Sequence, residues 1–424
     1  MSQEENNNPI EEANPFGNLE EEAKKPEANQ EEDDLDPNRP ELIPDKTKME
    51  YRHLGNSGLR VSLLSYGNWA NNDNYKVTLD SVKFCVENGI NFFDTAEVYG
   101  IGKGEINLGR AIKVLNIPRD KIIVSSKIYK SGTDPNDTFL SRKHIIEGVK
   151  NSLNRLGLDY IDILYCHRYD MRTPLAETIK AIDSLVSNGT VLYWGTSNWT
   201  PTQIMEAIKV CEKYKYVKPI CEQSNYSMIK RGEMEKLRNL FKKYGYGTTT
   251  FSPLYSGVLS GKYLKDIPID SRYIKNKDAT AVLKIYFDNK NKYDDKLNKL
   301  SEICKQLNCT LAQLAIAWVI VDPDVSTCIL GATKLVQLEE NIKALNVYKQ
   351  LNKNILLEIE KILDNTPKGE MEWKEFKELP ARRNINLNVD YIKGVTDVDT
   401  KKKKKPKKEE GEEGEGEEQQ EEQQ

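Results

Sequence analysis

The sequence is poor in histidine and has no closely spaced pair of cysteines. Three histidines occur among 424 residues, and the seven cysteines are odd in number and form no CxxC pair. These counts argue against a zinc site with the usual histidine and cysteine spacing, so we expect no metal. Several cysteines lie in apolar runs, which predicts buried free thiols in a reducing compartment. The cysteines are Cys85, Cys166, Cys211, Cys221, Cys304, Cys309 and Cys328.

A long apolar run, an N-terminal signal and a strong net charge are also absent from the sequence. The longest near-apolar stretch, 311–321, contains Gln313 and is too short to cross a bilayer. The first residues are rich in Glu, Asn and Pro and have no apolar core, unlike a secretory signal. A net charge of -4 is too small for a dedicated nucleic-acid binder. We therefore expect a cytoplasmic protein with no transmembrane segment and no nucleic-acid partner.

Composition divides the chain into a central domain and two charged tails. Residues 1–46 are acidic, Asn-rich and poor in apolar residues, so they bury too little apolar surface to offset the entropy of ordering. We predict a disordered tail there, a domain over 47–366 and an extended C-terminal segment over 367–400. Residues 401–424 form a lysine block followed by a Glu/Gln-rich disordered tail. A solvated tail is favoured over a docking site, because the acidic run partly neutralises the lysines.

Within the central domain, short β-branched or aromatic runs alternate with longer stretches of helical periodicity. Ser141 is placed as a helix N-cap, and Pro174 and Pro201 fit first helical turns. Glycines such as Gly157 and Gly245 mark helix ends. Eight such units in about 300 residues predict a (β/α)8 TIM barrel of the α/β class. The strands are predicted at 61–66, 91–94, 122–127, 160–166, 191–196, 219–223, 247–252 and 326–330.

A doubly wound sheet is the alternative fold, and it would need a glycine-rich phosphate loop after its first strand. Residues 67–70, which follow that strand, do not have the GxGxxG pattern, and the glycines of 100–104 lack the strand-to-helix context. The barrel is therefore favoured. The longest interruption, 264–280, follows the seventh strand, and a loop of that length in a compact domain is usually functional or disordered.

Four polar side chains follow three neighbouring strands. Asp94 ends the second strand and Tyr99 lies in the loop after it, Lys127 ends the third strand, and His167 follows the fourth. In a TIM barrel these strand ends face one mouth, where active sites are built. A buried carboxylate is costly without a cationic partner. We therefore expect Asp94 to pair with Lys127.

These residue types suit the reduction of a carbonyl group. An ordinary tyrosine has a pKa of about 10 and is a poor acid at neutral pH. A neighbouring ammonium group favours the phenolate, so Lys127 is predicted to lower the pKa of Tyr99, which then donates a proton as general acid. His167 can donate a hydrogen bond to, or orient, the carbonyl oxygen. The hydride has to come from a cofactor.

The segment 94–100, DTAEVYG, together with Lys127 and the segment 165–168, resembles the aldo-keto reductase superfamily. Further stretches narrow the resemblance to the branch that holds the cytoplasmic β subunits of voltage-gated potassium channels and related bacterial reductases. The resemblance covers residues 50–365 and neither tail. The further stretches are 140–148, 193–197, 220–223 and 310–318.

The resemblance implies a (β/α)8 barrel that binds NADPH or NADP+ without a Rossmann fold. It implies that Asp94, Tyr99, Lys127 and His167 form the catalytic tetrad and that Trp69 is a wall of the substrate pocket. The residues implied to contact the nicotinamide are Ser197, Asn198 and Gln223. The other implied cofactor contacts are Phe251, Ser252, Pro253, Leu254, Ser256, Lys262, Arg272, Gly331, Thr333, Lys334, Gln337, Glu340 and Asn341.

The eighth unit contains a strand, Gly331 and a helix start that carries Lys334. Free N–H groups and the helix dipole favour an anion at such a place, although an ordinary βα turn is the alternative. With Lys334 and Arg272 close by, we expect a 2′-phosphate there, and therefore NADPH rather than NADH.

Three positions depart from the channel β subunits. These subunits commonly have asparagine at the position of His167, whereas the active reductases have histidine. Asn198 stands where the family has arginine, which weakens one cofactor contact. Phe251 stands where the channel subunits have tryptophan.

The sequence predicts an NADPH-dependent aldo-keto reductase that reduces aldehyde or ketone carbonyls to alcohols. The alternative is a regulatory protein like the potassium-channel β subunits, which binds NADP(H) as a redox sensor with little turnover and contacts the cytoplasmic domain of a channel. A third hypothesis is an inert barrel whose charged tails bind partners. The resemblance also suggests a homotetramer.

Overall fold

Eight parallel strands close into a barrel in the computed structural model, which describes residues 39–269, 271, 274 and 277–367. The closure confirms the predicted (β/α)8 fold. The barrel strands are β3 (Leu64–Gly67), β4 (Phe92–Asp94), β5 (Ile123–Ile128), β6 (Ile161–Cys166), β7 (Val191–Ser197), β8 (Cys221–Asn225), β9 (Gly247–Phe251) and β10 (Thr327–Leu330). The ring runs in chain order from β3 to β10, and β10 pairs with β3 to close it.

Twelve α-helices occur in the described residues, and most connect consecutive strands of the ring. They are α1 (Tyr75–Glu87), α2 (Lys103–Val114), α3 (Arg142–Leu156), α4 (Leu175–Ser187), α5 (Pro201–Tyr214), α6 (Gly232–Tyr244), α7 (Lys277–Asp288), α8 (Lys290–Gln306), α9 (Leu311–Val321), α10 (Leu335–Asn341), α11 (Ala344–Tyr348) and α12 (Lys353–Leu363).

Most of the predicted helix boundaries are confirmed. The side chain of Ser141 accepts a hydrogen bond from the backbone of the third residue of α3, and Pro201 begins α5 behind a threonine capping box. Gly157 and Gly245 end α3 and α6 in the left-handed conformation. Pro174 is the N-cap of α4 rather than a residue of its first turn.

A hairpin of two antiparallel strands, β1 (Tyr51–His53) and β2 (Arg60–Ser62), closes the N-terminal end of the barrel. Its apolar residues pack into one buried cluster with residues from the beginnings and inner faces of the barrel strands. The buried members are Leu54, Val61, Phe92, Ile123, Ile163, Tyr165 and Cys221. With that end filled by side chains, the opposite end carries the functional candidates.

The first predicted strand, 61–66, is wrong as a single element. Val61 and Ser62 belong to the hairpin, and the barrel strand begins only at Leu64. Ser62 donates its hydroxyl to the carbonyl of Leu64 (2.6 Å) and its N–H to Asn91 (2.8 Å), and these bonds turn the chain between the two strands. The run 61–66 does not reveal such a turn, because its residues are buried on both sides of the turn.

The predicted N-terminal tail extends too far. Residues 39–46 lie against the barrel, where Leu42 donates its N–H to the carbonyl of Asn116 and Asp45 donates its N–H to that of Val86. Residues 1–38 and 368–424 lie outside the described residues, so the remaining tail predictions and the segment at 367–400 stay predictions.

No single helix in the described part of the chain has both the length and the apolar composition needed to cross a membrane. One bent pair, α8 and α9, meets both requirements only when taken together, across a bend of 86°.

Helices α2 and α3 cross at a glycine. A Cβ atom built on Gly109 in α2 would lie 2.0 Å from the carbonyl oxygen of Leu156, the last residue of α3. That oxygen is backbone and cannot rotate away, so the two helices would have to separate. The crossing therefore requires glycine at this position.

We expect Gly109→Ala to lower the free energy of unfolding by about 2 kcal/mol, because overpacking outweighs the gain in helix propensity. Urea unfolding followed by circular dichroism measures the change. The matched control is Gly232→Ala at the start of α6, where an added Cβ meets nothing within 4 Å. If both variants unfold at the same urea concentration, close packing at the crossing is not what requires Gly109.

Candidate active site

A buried ion pair joins the ends of two neighbouring strands. Asp94 is the last residue of β4, and Lys127 lies in β5. The side chain of Lys127 is completely buried and that of Asp94 is 3% exposed. The Lys127 Nζ donates to Asp94 Oδ2 (2.6 Å), to the carbonyl of Thr95 (2.7 Å) and to the Tyr99 hydroxyl (3.1 Å). All three donors of the ammonium group are therefore used, and the expected pairing of Asp94 with Lys127 is confirmed.

The second oxygen of Asp94 is held from two other strands. Ser125 Oγ donates to Asp94 Oδ1 (2.7 Å), and so does Gln223 Nε2 (3.0 Å) from β8. A buried carboxylate is stabilised when a cation and additional hydrogen bonds satisfy it, as they do here. Sequence reasoning missed Ser125. It lies two residues before Lys127 on one strand, and such residues face the same side, so this contact could have been found.

Tyr99 has a higher pKa than an ordinary tyrosine, which corrects the prediction of an acidic phenol. Burial raises the pKa of Tyr99, the Lys127 ammonium lowers it, and the carboxylate of Asp94 raises it again. The effect expected of Lys127 is present, but burial outweighs it. Tyr99 therefore keeps its proton at neutral pH in the absence of a reacting group.

His167 lies beside Tyr99, with 6.1 Å between the ring centroids and an angle of 76° between the ring planes. Burial lowers the pKa of His167 well below its usual value, and the positive charges of Lys127 and Arg168 lower it further. The imidazole is therefore neutral and keeps one N–H donor. The structure thus brings all four residues of the predicted tetrad to one mouth of the barrel.

The three predicted nicotinamide contacts also lie together. Ser197 Oγ donates to the carbonyl of Gln223 (3.1 Å), and Asn198 Nδ2 donates to Ser197 Oγ (3.0 Å). Asn198 has a left-handed backbone, with φ of 56°. Gln223 also donates a hydrogen bond to Asp94, so these three residues are linked to the tetrad.

The turn after β9 is strained. Ser252, Tyr255 and Ser256 have φ values of 56°, 46° and 53°, followed by Gly257 at 91°. Non-glycine residues in this region carry a conformational cost and concentrate at functional sites, and such turns present backbone N–H groups to anions. Phe251, the last residue of β9, precedes this turn, and Pro253 and Leu254 lie within it.

Two basic residues that were predicted to contact the cofactor, Lys262 and Arg272, come after this turn in the chain. A Cβ atom on Gly257 would lie 2.9 Å from Lys262 Nζ, so this ammonium group lies over the strained backbone. Arg272 lies outside the described residues, so its predicted contact stays a prediction.

The cofactor contacts predicted in the eighth unit lie directly before α10 and within it. Gly331, Thr333 and Lys334 are exposed, and the Thr333 N–H donates to the side chain of Gln337 (2.8 Å). Glu340 is half-buried and Asn341 is buried. Because α10 has only seven residues, the charge on Lys334 is a better candidate for binding an anion than the helix dipole.

Trp69 lies in a 3-10 helix, Asn68–Asn71, directly after β3 and is 38% exposed. A Cβ atom on Gly331 would lie 3.8 Å from Ala70, so this helix borders the end of β10. Trp69 is therefore a rim residue beside the eighth unit.

Glu222 is a buried acid that sequence reasoning overlooked. It accepts hydrogen bonds from Thr196 Oγ1 (2.5 Å) and from the backbone N–H of Trp199 (3.2 Å), and burial raises its pKa to about 8. Consecutive strand residues point to opposite faces, so Glu222 faces away from Gln223. It holds the turn between β7 and α5, where Ser197 and Asn198 lie.

Together these side chains form a proton-donating centre. A protonated phenol touches a buried ammonium group, a carboxylate holds that ammonium group in place, and a neutral imidazole lies beside the phenol. Such an arrangement can protonate an oxygen atom on which negative charge develops.

Comparisons with known proteins agree with this geometry. The family described as "Aldo/keto reductase family" matches residues 63–364. Two plant proteins, each named "Probable voltage-gated potassium channel subunit beta", are similar, one from Oryza sativa subsp. japonica and one from Arabidopsis thaliana. Each is 44% identical over 329 residues, which covers 76% of this chain and 98% of the relative. The chain therefore belongs to the aldo/keto reductase family, whose oxidoreductases generally use NAD(P)H.

Proposed function

We propose that this protein is an NADPH-dependent reductase that converts aldehyde or ketone carbonyls into alcohols. The observation that carries the proposal is the hydrogen-bonded array of Asp94, Lys127 and Tyr99 at the barrel mouth, with neutral His167 beside it. A purely structural role would not require a completely buried lysine to contact a phenol in this way. Burying the charges of Asp94 and Lys127 is costly. A buried ammonium group in this position chiefly stabilises a neighbouring group that becomes negatively charged, which here is the phenol of Tyr99.

The residues around the mouth fit a dinucleotide. Ser197, Asn198 and Gln223 present amide and hydroxyl groups next to the tetrad, where a carboxamide would bind. The amide oxygen of Asn225, at the end of the same strand as Gln223, is buried and has no hydrogen-bond partner among the described residues. The strained turn that begins at Ser252 offers backbone N–H groups to a pyrophosphate.

A phosphorylated ribose is the expected ligand of the eighth unit. Lys334 is exposed at the start of α10, and Thr333 and Gln337 are joined by a hydrogen bond within the same turn. A point charge such as a lysine ammonium favours the doubly charged 2′-phosphate over a ribose hydroxyl. We therefore favour NADPH over NADH, with Arg272 as a second cation for the same group.

The tetrad performs the acid–base part of the reaction. When bound, NADPH supplies the hydride for the carbonyl carbon. Negative charge then grows on the carbonyl oxygen, to which neutral His167 donates a hydrogen bond and Tyr99 transfers its proton. The phenolate left behind is stabilised by the ammonium group of Lys127, 3.1 Å away.

Asp94 keeps this ammonium group charged. Burial lowers the pKa of Lys127, but Asp94 and Tyr99 outweigh burial and raise it. Trp69, on the rim, is our candidate for a wall of the substrate pocket.

Tyr99→Phe should lower kcat by about 10²–10⁴-fold, because the variant keeps the ring but loses the acid. Steady-state oxidation of NADPH with an aromatic aldehyde measures this loss. As a control, fluorescence titration with NADPH should give the same affinity for both proteins, and the wild type should bind NADH more weakly. A variant that turns over at the wild-type rate would remove Tyr99 from the mechanism.

The reduction rate should stay level through neutral pH and fall only when the solution becomes strongly alkaline. Protonated Tyr99 is the active form, and because burial raises its pKa, the loss occurs as pH rises beyond about 10. His167 stays neutral because its pKa lies well below the usual value, so no change is expected near pH 6.5. The profile of kcat/KM against pH tests both statements. A decrease below pH 7 that disappears in His167→Gln would contradict a neutral His167.

A second candidate function is that of a cytoplasmic channel subunit with little turnover. The 44% identity to two plant proteins named as probable potassium channel β subunits favours it. This function predicts a homotetramer by light scattering, retention on an immobilised cytoplasmic domain of a voltage-gated potassium channel, and NADPH oxidation limited to one turnover. A monomer that is not retained and reduces aldehydes through many turnovers would exclude it.

A further inference from the structure

The junction between α8 and α9 brings two cysteines side by side. Asn308 has a left-handed backbone with φ of 49°. The Cys309 N–H donates to the carbonyl of Cys304 (2.9 Å), and the Asn308 N–H donates to that of Lys305 (3.3 Å). These two bonds define a Schellman motif, in which the side chains at the positions of Cys304 and Cys309 commonly touch.

The two thiols differ from the other cysteines of the chain. The side chain of Cys304 lowers the pKa of Cys309, whereas Cys309 and burial raise the pKa of Cys304. Cys304 is buried and Cys309 is half-buried, so solvent reaches only the more acidic thiol. A thiolate is the reactive form of cysteine, so Cys309 is the nucleophile of the pair.

We propose that Cys304 and Cys309 form a reversible oxidation site, at which a hydroperoxide converts the two thiols into a disulfide and weakens the adenosine end of the cofactor site. The first half of this proposal stands on the helix-end geometry alone. The second half rests on the proposed function, because it assumes that NADPH binds at the eighth unit.

The reaction balances with hydrogen peroxide as oxidant. The thiolate of Cys309 attacks one peroxide oxygen, the O–O bond breaks, and the leaving hydroxide takes up a proton to become water. Cys309 is then a sulfenic acid. The Cys304 sulfur attacks the Cys309 sulfur, the S–O bond breaks, and the hydroxyl leaves with the Cys304 proton as a second water. The sulfur atoms are oxidised, the peroxide is reduced, and a dithiol compound restores the thiols.

One glutamine connects this site to the eighth unit. The Gln313 side chain accepts from the Thr310 N–H (3.1 Å) and donates to the carbonyl of Glu340 (3.0 Å) and to its carboxylate (3.2 Å). Thr310 directly follows Cys309, and Glu340 lies in α10 among the predicted cofactor contacts. A displacement of Cys309 therefore acts on α10 through a single side chain.

Oxidation should displace Cys309. A disulfide holds its sulfur atoms about 2 Å apart, much closer than the sulfur atoms of two free thiols that only touch. Cys309 is then pulled toward α8. Because Thr310 directly follows Cys309, this movement disturbs the capping box of Thr310 and Gln313. Loss of such a cap corresponds to about a fivefold change in an equilibrium constant, and we expect NADPH affinity to fall by about this factor.

Peptide mapping of the full-length protein tests the oxidation site. Lys305 lies between the two cysteines, so trypsin separates them in the reduced protein, and a disulfide keeps the two peptides linked. After treatment with hydrogen peroxide and alkylation of the remaining thiols, we expect this linked pair, and its loss after dithiothreitol. If other cysteines are oxidised while Cys304 and Cys309 are still alkylated, the site is excluded.

Conservative variants test the order of the two steps. In Cys304→Ser, the sulfenic acid on Cys309 should persist and react with dimedone, whereas Cys309→Ser should leave Cys304 unlabelled. The matched control, Cys211→Ser, removes a buried thiol elsewhere and should form the linked pair normally. Equal dimedone labelling of Cys304 and Cys309 would overturn the assignment of the nucleophile.

Two measurements on the oxidised and reduced protein test the coupling. Fluorescence titration should show NADPH binding about fivefold more weakly to the oxidised form, and not in Cys309→Ser treated in the same way. Hydrogen exchange should be faster at Thr310 and across α10 after oxidation. Unchanged exchange in a protein that carries the disulfide would overturn the coupling. Failure of both forms to bind NADPH would count against the proposed function instead.

Discussion

The candidate site depends on the buried ion pair between Lys127 and Asp94. Neither charge would remain in the barrel alone, because an unpaired buried charge costs several kcal/mol. Each charge therefore has further hydrogen-bond partners. Those of Asp94 are Ser125 from the next strand and Gln223 from β8. β4 and β8 are four strands apart in a ring of eight, so the bond from Gln223 to Asp94 crosses the barrel. Only a closed barrel of this small diameter brings these side chains together.

Burial disfavours the charged forms of Tyr99 and of both its partners, His167 and Lys127. It favours the neutral forms of the phenol and of His167, whereas the charge on Lys127 is maintained by Asp94. The resting site is therefore a protonated phenol beside a fixed cation. Such a cation contributes most after the proton has left, which is when transition-state stabilisation is needed. A phenol that was already ionised in the resting state would have no proton to donate.

The periodic pattern was enough to predict the barrel, and the tetrad followed from strand ends that meet at one mouth. Local patterns did not reveal the turn at Ser62, because residues 61–66 are buried on both sides of it. They also did not reveal that burial would outweigh Lys127 at Tyr99, since the pKa depends on how completely the fold excludes water. The contact between Gln223 and Asp94 joins residues far apart in sequence, and spacing alone carries no information about it.

Peroxide could act selectively on this chain because the fold treats its thiols unequally. Burial raises the pKa of Cys85, Cys166, Cys211, Cys221 and Cys328, and such thiols react slowly. Cys166 lies one residue before His167. The end of α8 is different, because the backbone turn there places Cys304 beside the half-buried Cys309. An oxidant can therefore react at the outer surface of the barrel without first modifying the mouth. The side chain of Gln313 would then carry the change to Glu340 in α10.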